Sequence, residues 1–258
     1  MNFWRVYRIA FQTIVTKEIL RFMRIWVQTI LPPAITTTLY FVIFGKLIGE
    51  RIGEMEGYSY IDFIVPGLIL MAVIQNSYAN VVSSFFSTKL QHYIEELLIA
   101  PVPNWVILSG YVVGGVTRGT LVGVVVTIIS LFFTDLQINS YSITLLVFVL
   151  TSILFALAGF INAVYAQSFD DISIVPTFVL TPLTYLGGVF YSISLLPSFW
   201  QDVSLINPVL YMVNAFRFGI LGVSDIDLVV ALGIILVFIV LLTLFSLSLL
   251  SRGVGIKN

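Results

Sequence analysis

Six stretches of mostly apolar residues, each about twenty long, limit what this chain can fold into. They run over about 25–47, 62–86, 114–133, 143–166, 174–196 and 228–250. A helix of roughly 20 residues crosses the ~30 Å hydrocarbon layer of a bilayer, and there a helix satisfies its own backbone polar groups. Composition excludes the soluble alternative. Hydrophobic residues make up 59% of the chain and charged residues 10%, where a soluble domain carries about 25% charged. A soluble fold of 258 residues has too little interior for that much apolar surface. The expected fold class is an all-α membrane protein with six transmembrane helices, forming a single domain over residues 1–258.

Lys and Arg collect in cytoplasmic loops and so orient the spans. Arg5, Arg8, Lys17, Arg21 and Arg24 precede the first span, Lys89 follows the second, and Arg252 and Lys257 follow the last. Lys46, Arg51 and Arg217 fall on the opposite side. The bias of eight to three puts both termini in the cytoplasm. The basic N-terminus is not followed by the short apolar core and small-residue cleavage site of a removable signal peptide. The first span is therefore expected to remain. With no cysteine there is no disulfide or thiolate chemistry, and a net charge of −1 gives no sign of nucleic-acid binding.

Arg118 falls within the third apolar stretch, where charge is costly. Counting back about twenty residues from Phe133 puts the membrane boundary near Gly114. Arg118 is then about one turn deep and can snorkel to the headgroups; a buried ion pair or a place on a transport path are the alternatives. Gly115, Gly119 and Gly123 recur every four residues there and invite close helix packing.

Three segments do not span. Residues 2–24 carry Arg5, Arg8, Lys17, Arg21 and Arg24 beside Phe3, Trp4, Tyr7 and Phe11, the pattern of an amphipathic helix lying on an anionic membrane surface. Pro32 and Pro33 follow inside the first span and should bend or restart the helix. Residues 88–99 hold the only histidine, His92, and the adjacent carboxylates Glu95 and Glu96 beside Ile94, Leu97 and Leu98, and end at Pro101 and Pro103. That helical, partly apolar surface suits a soluble partner better than a plain connector would. Residues 198–222 form two apolar pieces broken at Asn207-Pro208, each too short to cross. They are expected to dip partway as re-entrant outer helices or to lie along the outer interface, where Trp200 and Tyr211 suit the aromatic belt.

Chemistry of the usual kinds is absent. The sequence has no G-x-x-x-x-G-K-[ST] phosphate loop, no second histidine or cysteine for a metal, and no G-x-S-x-G elbow. Carboxylates are missing from the span centres, where ion-driven carriers need them. The polar groups inside the spans are neutral: Thr37, Gln75, Asn76, Asn80, Asn162, Thr181, Thr184 and Tyr185. They either hydrogen-bond between helices or line a conduit.

Several motifs together resemble the transmembrane subunit of type-2 ABC permeases. They are Lys17-Glu18-Ile19-Leu20-Arg21 running toward Pro32-Pro33, Asp62-Phe63-Ile64-Val65-Pro66-Gly67, Glu95 to Pro103, Gly187-Gly188-Val189-Phe190, and Asn207-Pro208-Val209-Leu210-Tyr211 with Arg217. The last cluster is the most specific. The resemblance implies a bacterial inner-membrane permease that assembles as a pair with two copies of a cytoplasmic ABC ATPase. It also implies that ATP and Mg sit on that partner, with no cofactor and no catalysis in this chain, and that the direction is export. On this reading the segment from about Thr88 to Ile99 is the coupling helix, with Tyr93, Glu95, Glu96, Leu97 and Leu98 as contacts and Asp170 and Asp171 as lesser ones. A stand-alone secondary carrier or channel is the competing class. A sugar-polymer cargo is not indicated, because the extra domain of glycan exporters has no counterpart here.

Overall fold

The computed structural model describes residues 3–255. Residue 2 and Lys257, together with the side chains of Lys46 and Leu98, lie outside the described residues. The chain opens with α1 (Phe3–Arg24), breaks at Ile25, and continues as α2 (Trp26–Tyr40). That helix runs through Pro32 and Pro33 without a stop, then widens into a π-helical stretch, Phe41–Ile48, before the short α3 (Gly49–Ile52). A two-residue hairpin, β1 (Glu54–Met55) and β2 (Tyr58–Ser59), leads into α4 (Tyr60–Leu90). The Ser59 side chain starts α4 by accepting the Asp62 backbone N–H at 3.4 Å. Next come α5 (Tyr93–Ile99), α6 (Asn104–Ser130) and α7 (Tyr141–Tyr165).

Among the described residues, five helical segments are long and apolar enough to cross a membrane: Trp26–Ile52, Tyr60–Leu90, Asn104–Ser130, Tyr141–Tyr165 and Leu228–Arg252, the last being α12. The stretch expected to span over 174–196 is built differently. Short α8 (Asp171–Val175), a π-helical turn over Pro176–Leu180, and α9 (Thr181–Tyr185) give fifteen helical residues. At 1.5 Å per residue they reach only about 22 Å. Gly188 has φ of 72°, a left-handed backbone that a helix cannot continue through. A sixth crossing results only if α10 (Ser198–Leu205) and α11 (Pro208–Leu221), bent by 91° at Asn207, count as one.

α4 is the central helix and is almost wholly enclosed, whereas α12 and the α2 segment leave most of their surface open. α6 and α7 flank α4 on adjacent sides, α11 packs on α4, α7 and α12, and α1 lies along α6. Glycines set the closest approaches. A Cβ on Gly159 of α7 would lie 2.6 Å from the Tyr78 carbonyl oxygen of α4, and one on Gly115 of α6 would lie 2.7 Å from Val81 Cγ2. Gly119 faces Ser77, and Gly123 faces the Phe148 ring and Val73. The spacing of four thus carries α6 onto α4 and α7.

Candidate functional site

α5 and the turn before it sit at the end of the bundle where residues 13–17 of α1 and residues 254–255 also lie. His92, in the left-handed conformation with φ of 61°, turns the chain out of α4. Ala100 is extended before Pro101, the conformation favoured for a residue preceding a proline, and this stops α5 after seven residues. Ile94 is the buried anchor, Leu97 is half-buried, and Tyr93, Glu95, Glu96 and Ile99 face outward. His92 Nδ1 and Glu95 Oε1 are 2.9 Å apart across the first turn. A cleft of about 450 Å³ separates α5 from α1, lined by Thr13, Lys17, Tyr93, Glu96, Leu97 and Tyr111.

Lys89, near the end of α4, donates to the Val164 and Ala166 carbonyls at 2.7 Å each and so ties α4 to the end of α7. Phe86 and Phe169 pack edge to face beside it, 5.1 Å between ring centres. The chain then turns at Asp171, whose carboxylate accepts the backbone N–H groups of Gln167 at 2.8 Å and Ser168 at 3.0 Å. Those two bonds hold its carboxyl below the ordinary aspartate range. Asp170 is exposed at the start of α8. The structure therefore gathers α5 and the turn bearing Asp170 and Asp171 at one end of the molecule.

A polar seam runs where α1 crosses α4 and α6. Ile14, Glu18 and Phe22, spaced by four, form the buried edge of α1. Gly110 and Gly114 of α6 leave room for them, since a Cβ on Gly114 would lie 2.6 Å from Glu18 Cβ. Glu18 is fully buried, accepts a hydrogen bond from Ser84 Oγ at 2.5 Å, and has Arg21 Nη2 at 3.5 Å. Burial holds its carboxyl above the ordinary glutamate range, against the opposing pull of Arg21, Ser84 and Lys17. Arg21 Nη2 donates to the carbonyl and Oδ1 of Asn80 at 2.8 Å, and Nη1 to Ser83 Oγ at 3.3 Å. Lys17 donates to Thr88 Oγ1 at 3.2 Å. Sequence reading gave Glu18 only as part of a motif, Lys89 only as an orienting charge and Gly114 only as a boundary, and did not name Gly110; a carboxylate alone on a basic helix, in register with Ile14 and Phe22, was the available signal for the burial of Glu18.

The neutral polar residues take several different surroundings. Asn76 and Asn80 are buried in α4 and accept from Arg118 and Arg21 respectively, while adjacent Gln75 is exposed. Asn162 of α7 donates to the Tyr78 hydroxyl at 2.6 Å, a contact between helices. Thr37 is buried on α2. Thr181 and Thr184 donate to the Pro176 and Thr181 carbonyls of their own helical stretch. Tyr185 shares a hydrogen bond with the Tyr40 hydroxyl at 2.9 Å and stacks on Phe190. Asn76 and Asn80 come together with the arginines; Thr181, Thr184 and Tyr185 lie on another element, α9.

At the opposite end, the motif residues converge. Asn207 caps α11 by accepting the Val209 N–H at 3.0 Å, and its amide donates to Leu183 O at 2.7 Å. Pro208 follows at the first helical position, where no amide hydrogen is needed. Tyr211 donates to Leu205 O at 2.7 Å, tying α11 back to α10. Arg217 is buried, donates to Gly188 O at 2.6 Å, and lies 3.9 Å from the centre of the Phe63 ring. Gly67 lets the same loop close onto α4, since a Cβ there would lie 2.8 Å from Val189 O. Motifs far apart in sequence thus form one packed cluster of α4, the loop over 187–190, and α11.

The model of the ABC-2 type transporter family matches residues 9–221 of this chain. The chain is 60% identical over 253 residues to a protein named inner membrane transport permease YadH from Escherichia coli K12, covering 98% of this chain and 99% of that one. It is 24% identical over 215 residues to nodulation protein J of Rhizobium leguminosarum biovar viciae, covering 83% of each. The chain belongs to the ABC-2 type transporter family as a transmembrane permease.

Proposed function

We propose that the chain is the membrane-crossing part of an ATP-driven exporter in a bacterial inner membrane. Two copies form the passage, and two copies of a separate ABC ATPase subunit dock on the end that carries α5. Both termini are cytoplasmic, as the basic residues of α1 favour. α1 lies along the inner interface, and α10 with α11 enters from the outer face and returns. ATP and Mg are held by the ATPase, so this chain needs no cofactor of its own.

One observation carries the reading. α5 is bounded on both sides by backbone stops and anchored by Ile94, yet it turns Tyr93, Glu95 and Glu96 away from the bundle. Leu97, half-buried, completes the proposed coupling surface. The turn bearing Asp170 and Asp171 lies at the same end through the Lys89 link. A surface pushed there moves α4, and α4 is the helix on which the rest of the bundle packs.

The test has two arms. Solubilised in mild detergent, the chain should bring down a Walker-type ATPase in equal amount; a lone oligomer rejects the reading. In the assembled complex, Glu95→Ala with Glu96→Ala should leave abundance unchanged and cut ATP hydrolysis several-fold. Unchanged hydrolysis at normal abundance removes the coupling role from α5.

A further inference from the structure

Arg118 is the fifteenth of the 27 residues of α6, which begins at Asn104. An arginine within a spanning helix is costly, so its surroundings need an explanation. Arg217 is the other buried arginine of the bundle, enclosed against a carbonyl and an aromatic face with its own Nε and Nη1 unpartnered, so the contrast with Arg118 lies in exposure. Arg118 is different. It is half-buried, and its one hydrogen bond among the described residues is to Asn76 Oδ1 at a long 3.4 Å. No carboxylate among the described residues pairs with it.

The face of α4 beside it is open and polar. Gln75 is exposed, and Ala79, Ser83 and Ser87 are half-exposed at intervals of four, while every other residue of α4 between Phe63 and Thr88 is buried. Asn76 and Asn80, one helical turn apart, bring Arg118 to the start of this stretch and Arg21 to its middle. The fixed charges along the seam are Lys17, Arg21 and Arg118 against Glu18 alone. Among the described residues, five buried polar atoms in this seam have no hydrogen-bond partner, Glu18 Oε2 having only the 3.5 Å ion-pair contact with Arg21. Four carry hydrogen, Arg21 Nε, Arg118 Nε, Ser77 Oγ and Asn80 Nδ2, and only Glu18 Oε2 is a carboxylate oxygen. Positive charge and hydrogen-bond donors are both in excess, and the missing complement is an anion bearing several acceptor oxygens.

We propose that the α4 face between Arg118 and Arg21 binds the anionic headgroup of an amphiphile, phosphate or carboxylate, as the polar end of the cargo. The proposal rests on the transport reading for the word cargo and on this geometry alone for the binding. Arg118 is the principal contact, since its remaining donors are uncommitted. Arg21 and Lys17 supply a flank of like charge, and Gln75 and Ser83 line the opening.

The test is binding to the full-length chain in neutral maltoside micelles, read by anisotropy of a short-chain fluorescent phosphatidylglycerol, with the matching phosphatidylcholine as the uncharged comparison. The anionic lipid should bind about tenfold tighter, the size of one charge-assisted contact, and Arg118→Gln should remove most of that preference. Asn76→Asp is the sharper variant. It keeps the volume, places a carboxylate on Arg118, and should abolish the preference while leaving thermal stability equal or higher. Arg24→Gln, on the exposed end of α1, should change nothing. Inorganic phosphate that displaces the lipid at millimolar concentration identifies the headgroup alone as the ligand; failure to displace identifies headgroup and chain together, and both support the site. Equal binding of the two lipids, or a preference untouched by Asn76→Asp, overturns it. Because no ATPase is present, this result stands apart from the co-purification test. Stimulation of ATP hydrolysis in the complex by dodecyl phosphate then separates cargo from a resident lipid, and stimulation lost in Arg118→Gln supports cargo. Binding without stimulation overturns the cargo role.

Discussion

Gly159 to Ala adds one methyl group where α7 meets α4. The new carbon would lie 2.6 Å from the Tyr78 carbonyl oxygen and 3.3 Å from the Tyr78 carbonyl carbon and Cα. Ordinary contact begins near 3.4 Å, and the obstacle is backbone, so no side chain can rotate away. The helices must part by close to an ångström or the methyl must be strained, an overpacking that costs about 1–3 kcal/mol. Against this, alanine gains about 1 kcal/mol over glycine inside a helix. The net expectation is a loss of up to ~2 kcal/mol. Gly233 in α12 supplies the internal control, because a Cβ there meets nothing within 4 Å. Gly233→Ala should collect the propensity gain alone and stabilise by about 0.5–1 kcal/mol. At roughly 2–4 °C per kcal/mol for a chain of this size, the two variants should melt several degrees apart with opposite signs relative to the parent. Thermal denaturation of purified protein in one detergent, followed by fluorescence-detected gel filtration, measures this. A Gly159→Ala protein as stable as Gly233→Ala would refute the argument that backbone contact at this seam, and not propensity, decides the outcome.

Three further outcomes follow from the polar contacts. Because the folded state holds Glu18 above its ordinary range, its contribution to stability is fully present below the unfolded carboxylate pKa and is lost as pH rises through the raised value. Glu18→Gln should flatten that decline in melting temperature above the ordinary glutamate range, and an unchanged slope would remove Glu18 as its source. Arg217→Met leaves the Gly188 carbonyl without its donor and should cost about 1–3 kcal/mol, seen as a lower melting temperature at unchanged secondary structure by circular dichroism. Asn207→Ala deletes the cap of α11 and its bond to Leu183 and should cost at least ~1 kcal/mol in the same assay.

Long apolar runs were readable because length and hydropathy decide whether a helix can cross, and five such helices stand where five runs lie. The stretch over 174–196 is equally apolar, but Gly187-Gly188 reads as a motif in sequence and acts as a stop in space. The third helix starts at Asn104, immediately after Pro103, because a hydropathy window marks apolar length and not where a helix begins. The polar residues were visible as types only. Gln75 and Asn76 are neighbours, yet one is exposed and the other buried, because facing depends on which helices surround α4. Glu18 was the least readable, since Ser84, its hydrogen-bond partner, is 66 residues away.

The two short bonds from Lys89 bear on how such a molecule can change shape. A single ammonium grips two carbonyls at the far end of α7, beside the turn held by Asp171. Loops fastened this way are poor at uncoiling one at a time, so a working stroke would tilt α4 and α7 together, and amide protons in both should exchange in step.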